Sequence, residues 1–125
     1  MTLIEMTIVI LVLLSLITTL FFGARAWKRG SDRTLCIINI RNVQQGVRAY
    51  ANINGFSDGG SAPDLKSKVI GLGKYIEALP DCPSSGTYAF GGAFGENTIP
   101  PVGELYMQCD LETADNHVPT AYSDW

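Results

Sequence analysis

The chain has 125 residues, 46% of them hydrophobic and 17% charged, with a formal net charge of −3. Once an apolar N-terminal stretch of about 30 residues is set aside, the remainder suffices for one small domain. Residues 1–50 carry six basic and two acidic side chains (+4) and residues 51–125 three and ten (−7), and so acidic a C-terminal part disfavours nucleic-acid binding.

In chain order the first element is Met1–Phe22, MTLIEMTIVILVLLSLITTLFF. From Met6 to Phe22 there is no charge, proline or glycine. As a helix this run is about 25 Å long, close to the hydrocarbon thickness of a bilayer. One carboxylate, Glu5, stands just before it, and Arg25, Lys28, Arg29 and Arg33 follow it. A secretory signal peptide has the opposite order, with basic residues first and a small-residue cleavage site after a shorter apolar run. An ionisable group at the edge of such a segment is costly and marks a functional position.

Thr2-Leu3-Ile4-Glu5 followed by this apolar run resembles the N-terminus of type IV pilins and type II secretion pseudopilins. The resemblance implies that a basic leader is removed, that Met1 is the mature first residue, and that it is N-methylated. It implies a structural subunit rather than an enzyme, with no cofactor and no metal. Such a subunit sits in the inner membrane before assembly and then in an extracellular filament on the cell surface. Its partner is itself as a helical homopolymer, served by a prepilin peptidase and the pilus assembly machinery. Met1 and Glu5 become the assembly residues. In staggered subunits, Glu5 of one can meet the N-terminal amine of the next inside an apolar bundle. That pair is poorly screened, and leaving either charge unpaired there is strongly disfavoured, so it selects register. Two alternatives stand beside this reading: a secretion-system pseudopilin, and a single-pass anchored protein whose acidic head binds a ligand.

The helix is expected to continue. In SDRTLCIINIRNVQQGVRAYANINGF, Cys36, Ile40, Val43, Val47 and Tyr50 recur at spacings of four and three, one stripe of an amphipathic helix. Arg41, Gln44, Gln45 and Arg48 fall mainly off the stripe. Asn54-Gly55 is a stop signal. The reading is one helix over about 1–53, with a membrane or filament-core part (1–24), an amphipathic part (25–54) and a small head (55–125). Many members of the family carry a proline near position 22, where the helix unwinds in the filament; here the residue is Phe22. Thr18, Thr19 and Gly23 remain as the expected melting region.

Beyond the helix, Phe56–Asp64 reads as a flexible connector, and Asp64 as the cap of a short helix carrying Leu65, Val69, Leu72 and Ile76. Thr87–Phe90 and Glu104–Leu111 are strand candidates, with a loop over Phe94–Val102. The fold class is α+β: a long N-terminal helix and a small head with a minimal sheet of two or three antiparallel strands on the Cys36–Tyr50 stripe. The segment Cys82-Pro83-Ser84-Ser85-Gly86-Thr87-Tyr88, with Cys109 and His117, resembles the head of a subgroup of pilin-like proteins.

The cysteines are Cys36, Cys82 and Cys109, and no CxxC occurs. For an exported, turn-rich head, a Cys82–Cys109 disulfide is expected, leaving Cys36 an unpaired thiol on the apolar stripe. Two rivals remain: a disulfide from Cys36 to either of the others, and a closed zinc site of all three with His117. A lone histidine in a polar tail is otherwise expected to be exposed or hydrogen-bonded. No catalytic set is seen: Ser84 and Ser85 lack a nucleophile elbow, and Gly91-Gly92 lacks phosphate-loop spacing. Asp110, Glu112, Asp115 and Asn116 offer oxygens for calcium but not EF-hand spacing, and read as a solvated acidic surface. Phe21, Phe22 and Trp27 suit anchoring at a membrane interface, and Tyr50 suits the core.

Overall fold

The structure, a computed structural model, describes residues 2–125. Its elements are α1 (Leu3–Asn54), α2 (Leu65–Val69), β1 (Tyr88–Phe90) and β2 (Met107–Cys109). The architecture is α+β, a long N-terminal helix and a small C-terminal region with a two-stranded antiparallel sheet. The chain divides into two compact units, 1–31 and 32–125.

In the first unit, every residue from Thr2 to Gly30 is exposed. An 18-residue window of α1 has a mean hydropathy of 2.5 and none of it is buried. By length and composition this helix can cross a membrane. It runs unbroken through Thr18, Thr19 and Gly23. The threonine hydroxyls are turned back onto the helix, Thr18 donating to the Leu14 carbonyl at 2.8 Å and Thr19 to that of Leu16 at 2.9 Å.

In the second unit, the predicted stripe is the core: Cys36, Ile40, Val43, Val47 and Tyr50 are all buried. Leu65 and Val69 of α2, Ile99, Leu105, Tyr106 and Met107 join the same cluster. Gly46 lets α2 come close, since a Cβ there would lie 3.1 Å from Val69 Cγ1 and 3.2 Å from Ile76 Cδ1. The end of α1 is set by Gly55 at φ 75°, a left-handed conformation that glycine adopts without steric cost. Phe56 then donates its N–H to the Ala51 carbonyl at 2.9 Å and stacks on Tyr50, with ring centroids 5.6 Å apart. That is the hydrogen bond and apolar contact of a Schellman C-cap.

The sheet pairs Tyr88 with Cys109, Ala89 with Gln108, and Phe90 with Met107. β2 is shorter than its expected span. The Tyr106 N–H turns to the Gln44 side chain (2.9 Å), and a turn follows Cys109. Gln44 is therefore buried rather than off the stripe, and its Nε2 donates to the Glu104 carbonyl at 2.9 Å. The connector is held, not loose: Gly59 N–H reaches the Ile99 carbonyl, Ile99 N–H that of Gly60, and Ala62 N–H that of Asn97. Asp64 starts α2 with its backbone carbonyl, which accepts from Lys68 N and Ser67 Oγ, and not with its side chain. Leu72 is 90% exposed because α2 ends at Val69, before a second turn could bring Leu72 inward.

Candidate functional site: the apolar helix and a cysteine–histidine cluster

Glu5 lies in the first turn of α1 and is exposed. Its N–H donates to Thr2 Oγ1 at 3.3 Å. Thr2-Leu3-Ile4-Glu5 is thus half of a capping box, with threonine at the N-cap and a carboxylate three positions on, where the helix dipole favours it. The sequence held this signal in its T-x-x-E spacing. Glu5 consequently has a local role in starting the helix besides any role between chains. Met1, the expected methylated partner of that carboxylate, lies outside the described residues. After the apolar run, the Arg25 guanidinium stands 5.2 Å from the centre of the Phe21 ring. Trp27 is 75% exposed.

The second candidate lies wholly within residues 32–125. Cys36 comes from α1, Cys82 from the loop before β1, Cys109 from the end of β2 and His117 from the C-terminal segment. All four are buried, and one ligand-type atom from each lies within 4.8 Å of all the others. Cys82 Sγ is 3.5 Å from His117 Nδ1 and 3.8 Å from Cys109 Sγ; Cys109 Sγ is 3.9 Å from His117 Nδ1. No disulfide joins Cys82 to Cys109 in this structure, where their sulfurs stand 3.8 Å apart, and Cys36 is likewise unbridged. Of the two expectations for His117, exposed or hydrogen-bonded, it meets the second: it is 1% exposed, with its Nδ1 turned to the Cys82 sulfur.

Local structure explains the convergence. One face of α1 grips the surrounding loops: Ser84 Oγ donates to Asp32 Oδ2, Arg33 Nε donates to the Asn116 carbonyl, and Asn39 Nδ2 donates to the Asp81 carbonyl. These residues lie at the three- and four-residue spacings from Cys36 that share a helix face. Asn116, at φ 55°, turns the chain so that His117 points inward. Gly86 covers the sulfurs from the loop side. A Cβ at that position would lie 2.8 Å from Cys109 Sγ and 3.1 Å from Cys82 Sγ, so no larger residue fits without displacing them.

Burial keeps the Cys36 and Cys109 thiols protonated in the absence of a cation. Desolvation pushes Cys36 up to about 12, only partly offset by the Tyr88 hydroxyl, which donates to its sulfur at 3.5 Å. Cys109 is raised for the same reason. Neither of these two is a reactive thiol, which needs a depressed pKa and access to solvent. Among the described residues, the acids of 110–116 do not gather into a cation site. Asp110 is committed to the β1 edge, accepting from the Thr87 N–H at 2.8 Å.

No family model, curated protein or solved structure matches this chain.

Proposed function

We propose that this chain is the structural subunit of a type IV pilus-like filament, anchored in a membrane by α1 before assembly. The observation that carries the reading is the exposed apolar surface from Leu3 to Phe22 with Glu5 as its only charge. Side chains with that much apolar area require either lipid or copies of the same helix around them. A lipid anchor alone needs this carboxylate only to start its helix and gives it no use between chains. A staggered bundle gives it one, because each Glu5 can neutralise the amine of the next chain. In this reading Met1 is the mature, N-methylated terminus, and α1 loses regular helix near Gly23 on assembly. The resemblance to pilins and pseudopilins supplies the peptidase, assembly platform and cell-surface destination.

The test uses two substitutions with different consequences for the helix start. Glu5→Gln keeps a capping-box residue and removes the charge; Glu5→Ala removes both. Both variants should remain membrane-inserted and yield few or no filaments in sheared surface material viewed by electron microscopy. Wild-type filament yield from Glu5→Gln would show that the charge is not used between subunits. Wild-type filaments confined to the periplasm would assign the chain to a secretion pseudopilin instead.

A further inference from the structure

We propose that Cys36, Cys82, Cys109 and His117 form a structural zinc site that closes the head around α1. A tetrahedral zinc with Zn–S bonds of about 2.3 Å and a Zn–N bond of about 2.0 Å places its sulfurs roughly 3.8 Å apart and sulfur and nitrogen roughly 3.5 Å apart. The observed separations are 3.8 Å for Cys82–Cys109 and 3.5 and 3.9 Å from His117 Nδ1 to those two sulfurs. Cys36 completes the set within 4.8 Å. A disulfide would account for two of these residues. It would not account for a buried histidine aimed at both sulfurs, nor for a third thiol on the same point.

The donor set names the metal class. Three thiolates and one imidazole, all buried, suit zinc in closed four-coordinate geometry and do not suit hard cations such as calcium or magnesium. Four protein ligands leave no open position for water, so the role is structural. On binding, each of the three thiols releases one proton to solvent and His117 binds through neutral Nδ1. The complex then carries one net negative charge. The Tyr88 hydroxyl donates to Cys36 Sγ and itself accepts from Asn39 Nδ2 at 3.2 Å, so a second layer already faces the ligand that α1 supplies. Gly86 provides the space on the other side. The ligands are separated by 45, 26 and 7 intervening residues, so one ion ties four distant segments of a head with a small core.

The assignment is tested on the full-length chain in detergent micelles, reduced and then freed of reductant without air. Zinc titrated against a chromophoric chelator should bind at one equivalent, protect all three thiols from alkylation and raise the melting temperature. Cobalt(II) should give the intense visible d–d bands of a tetrahedral complex together with thiolate charge-transfer absorption. His117→Ala should alter that spectrum. Tyr88→Phe should preserve its tetrahedral form while weakening zinc by about tenfold. Three results would each overturn the site: no saturable one-to-one binding, an octahedral cobalt spectrum in the wild type, or an unchanged spectrum in His117→Ala. A Cys82–Cys109 disulfide peptide from chain exported to an oxidising compartment would do so as well. None of these readouts depends on filament formation.

Discussion

Tyr106 shows how a single side chain carries the head. It is fully buried, its hydroxyl donates to the Glu96 carbonyl at 2.7 Å, and its own backbone bonds Gln44 and Gly91. Burial, with the Glu96 carboxylate as the smaller cause, holds its phenol well above the ordinary value of 10.0. The unfolded chain therefore loses this proton first. Above pH 10 the unfolded state binds fewer protons than the folded one, and stability falls as pH rises, by up to about 1.4 kcal/mol per pH unit for one such group. Denaturant unfolding between pH 9 and 11.5 should show this decline. Tyr106→Phe should be less stable at pH 9, having lost a hydrogen bond, and should decline less steeply. Gln44 is the second such residue. Gln44→Ala strands the Tyr106 N–H in the core and should lower stability by about 1–3 kcal/mol, read from the same denaturation curves.

At the scale of elements, α1 was legible almost to the residue. Its stripe, its end at Asn54-Gly55 and its apolar first half each follow from local spacing and composition. The two strands were placed correctly but drawn too long, because the Gln44 side chain takes the hydrogen bond that would have extended β2. Gln44 escaped notice for the same reason: its burial depends on a backbone 62 residues away. The zinc-like cluster was visible only as one rival among several pairings. Its ligands are too far apart in sequence to make a short motif, and only the fold shows that His117 faces inward. Expected behaviour of α1 in the assembled state differs from that of the single chain. Helix is continuous from Leu3 to Asn54 here. In a filament we expect regular helix to be lost between Ser15 and Ala24, with Gly23 the least costly site, since glycine weakens a helix interior by about 1 kcal/mol relative to alanine. A filament reconstruction with unbroken helix through these residues would refute this.

Across residues 32–125, the head is fastened to α1 at both ends of the buried stripe, on either side of the Gln44 bonds. One is the Cys36 end, with Asp32, Arg33 and Asn39 around it. The other is Arg48, whose guanidinium donates to the carbonyls of Pro100, Pro101 and Trp125 and pairs with Asp58 at 3.1 Å. Lysine lacks the planar fork needed for so many acceptors at once. Arg48→Lys should therefore raise hydrogen exchange at the Gly59, Ile99 and Gly103 amides together, while the amides between β1 and β2 keep their protection. Equal loosening of both groups would show that the two fastenings are one cooperative unit.

Cys36 and Arg48 are twelve residues apart on α1, about 18 Å along its axis. Anything that pulls the head lengthwise against its helix loads both clasps, and the Gln44 bonds between them, at once, a shearing load. A pull at right angles, starting from either end, meets them one at a time and peels. Resistance to tension is thus directional in this head. The strong direction is that of the helix from which a filament would be drawn.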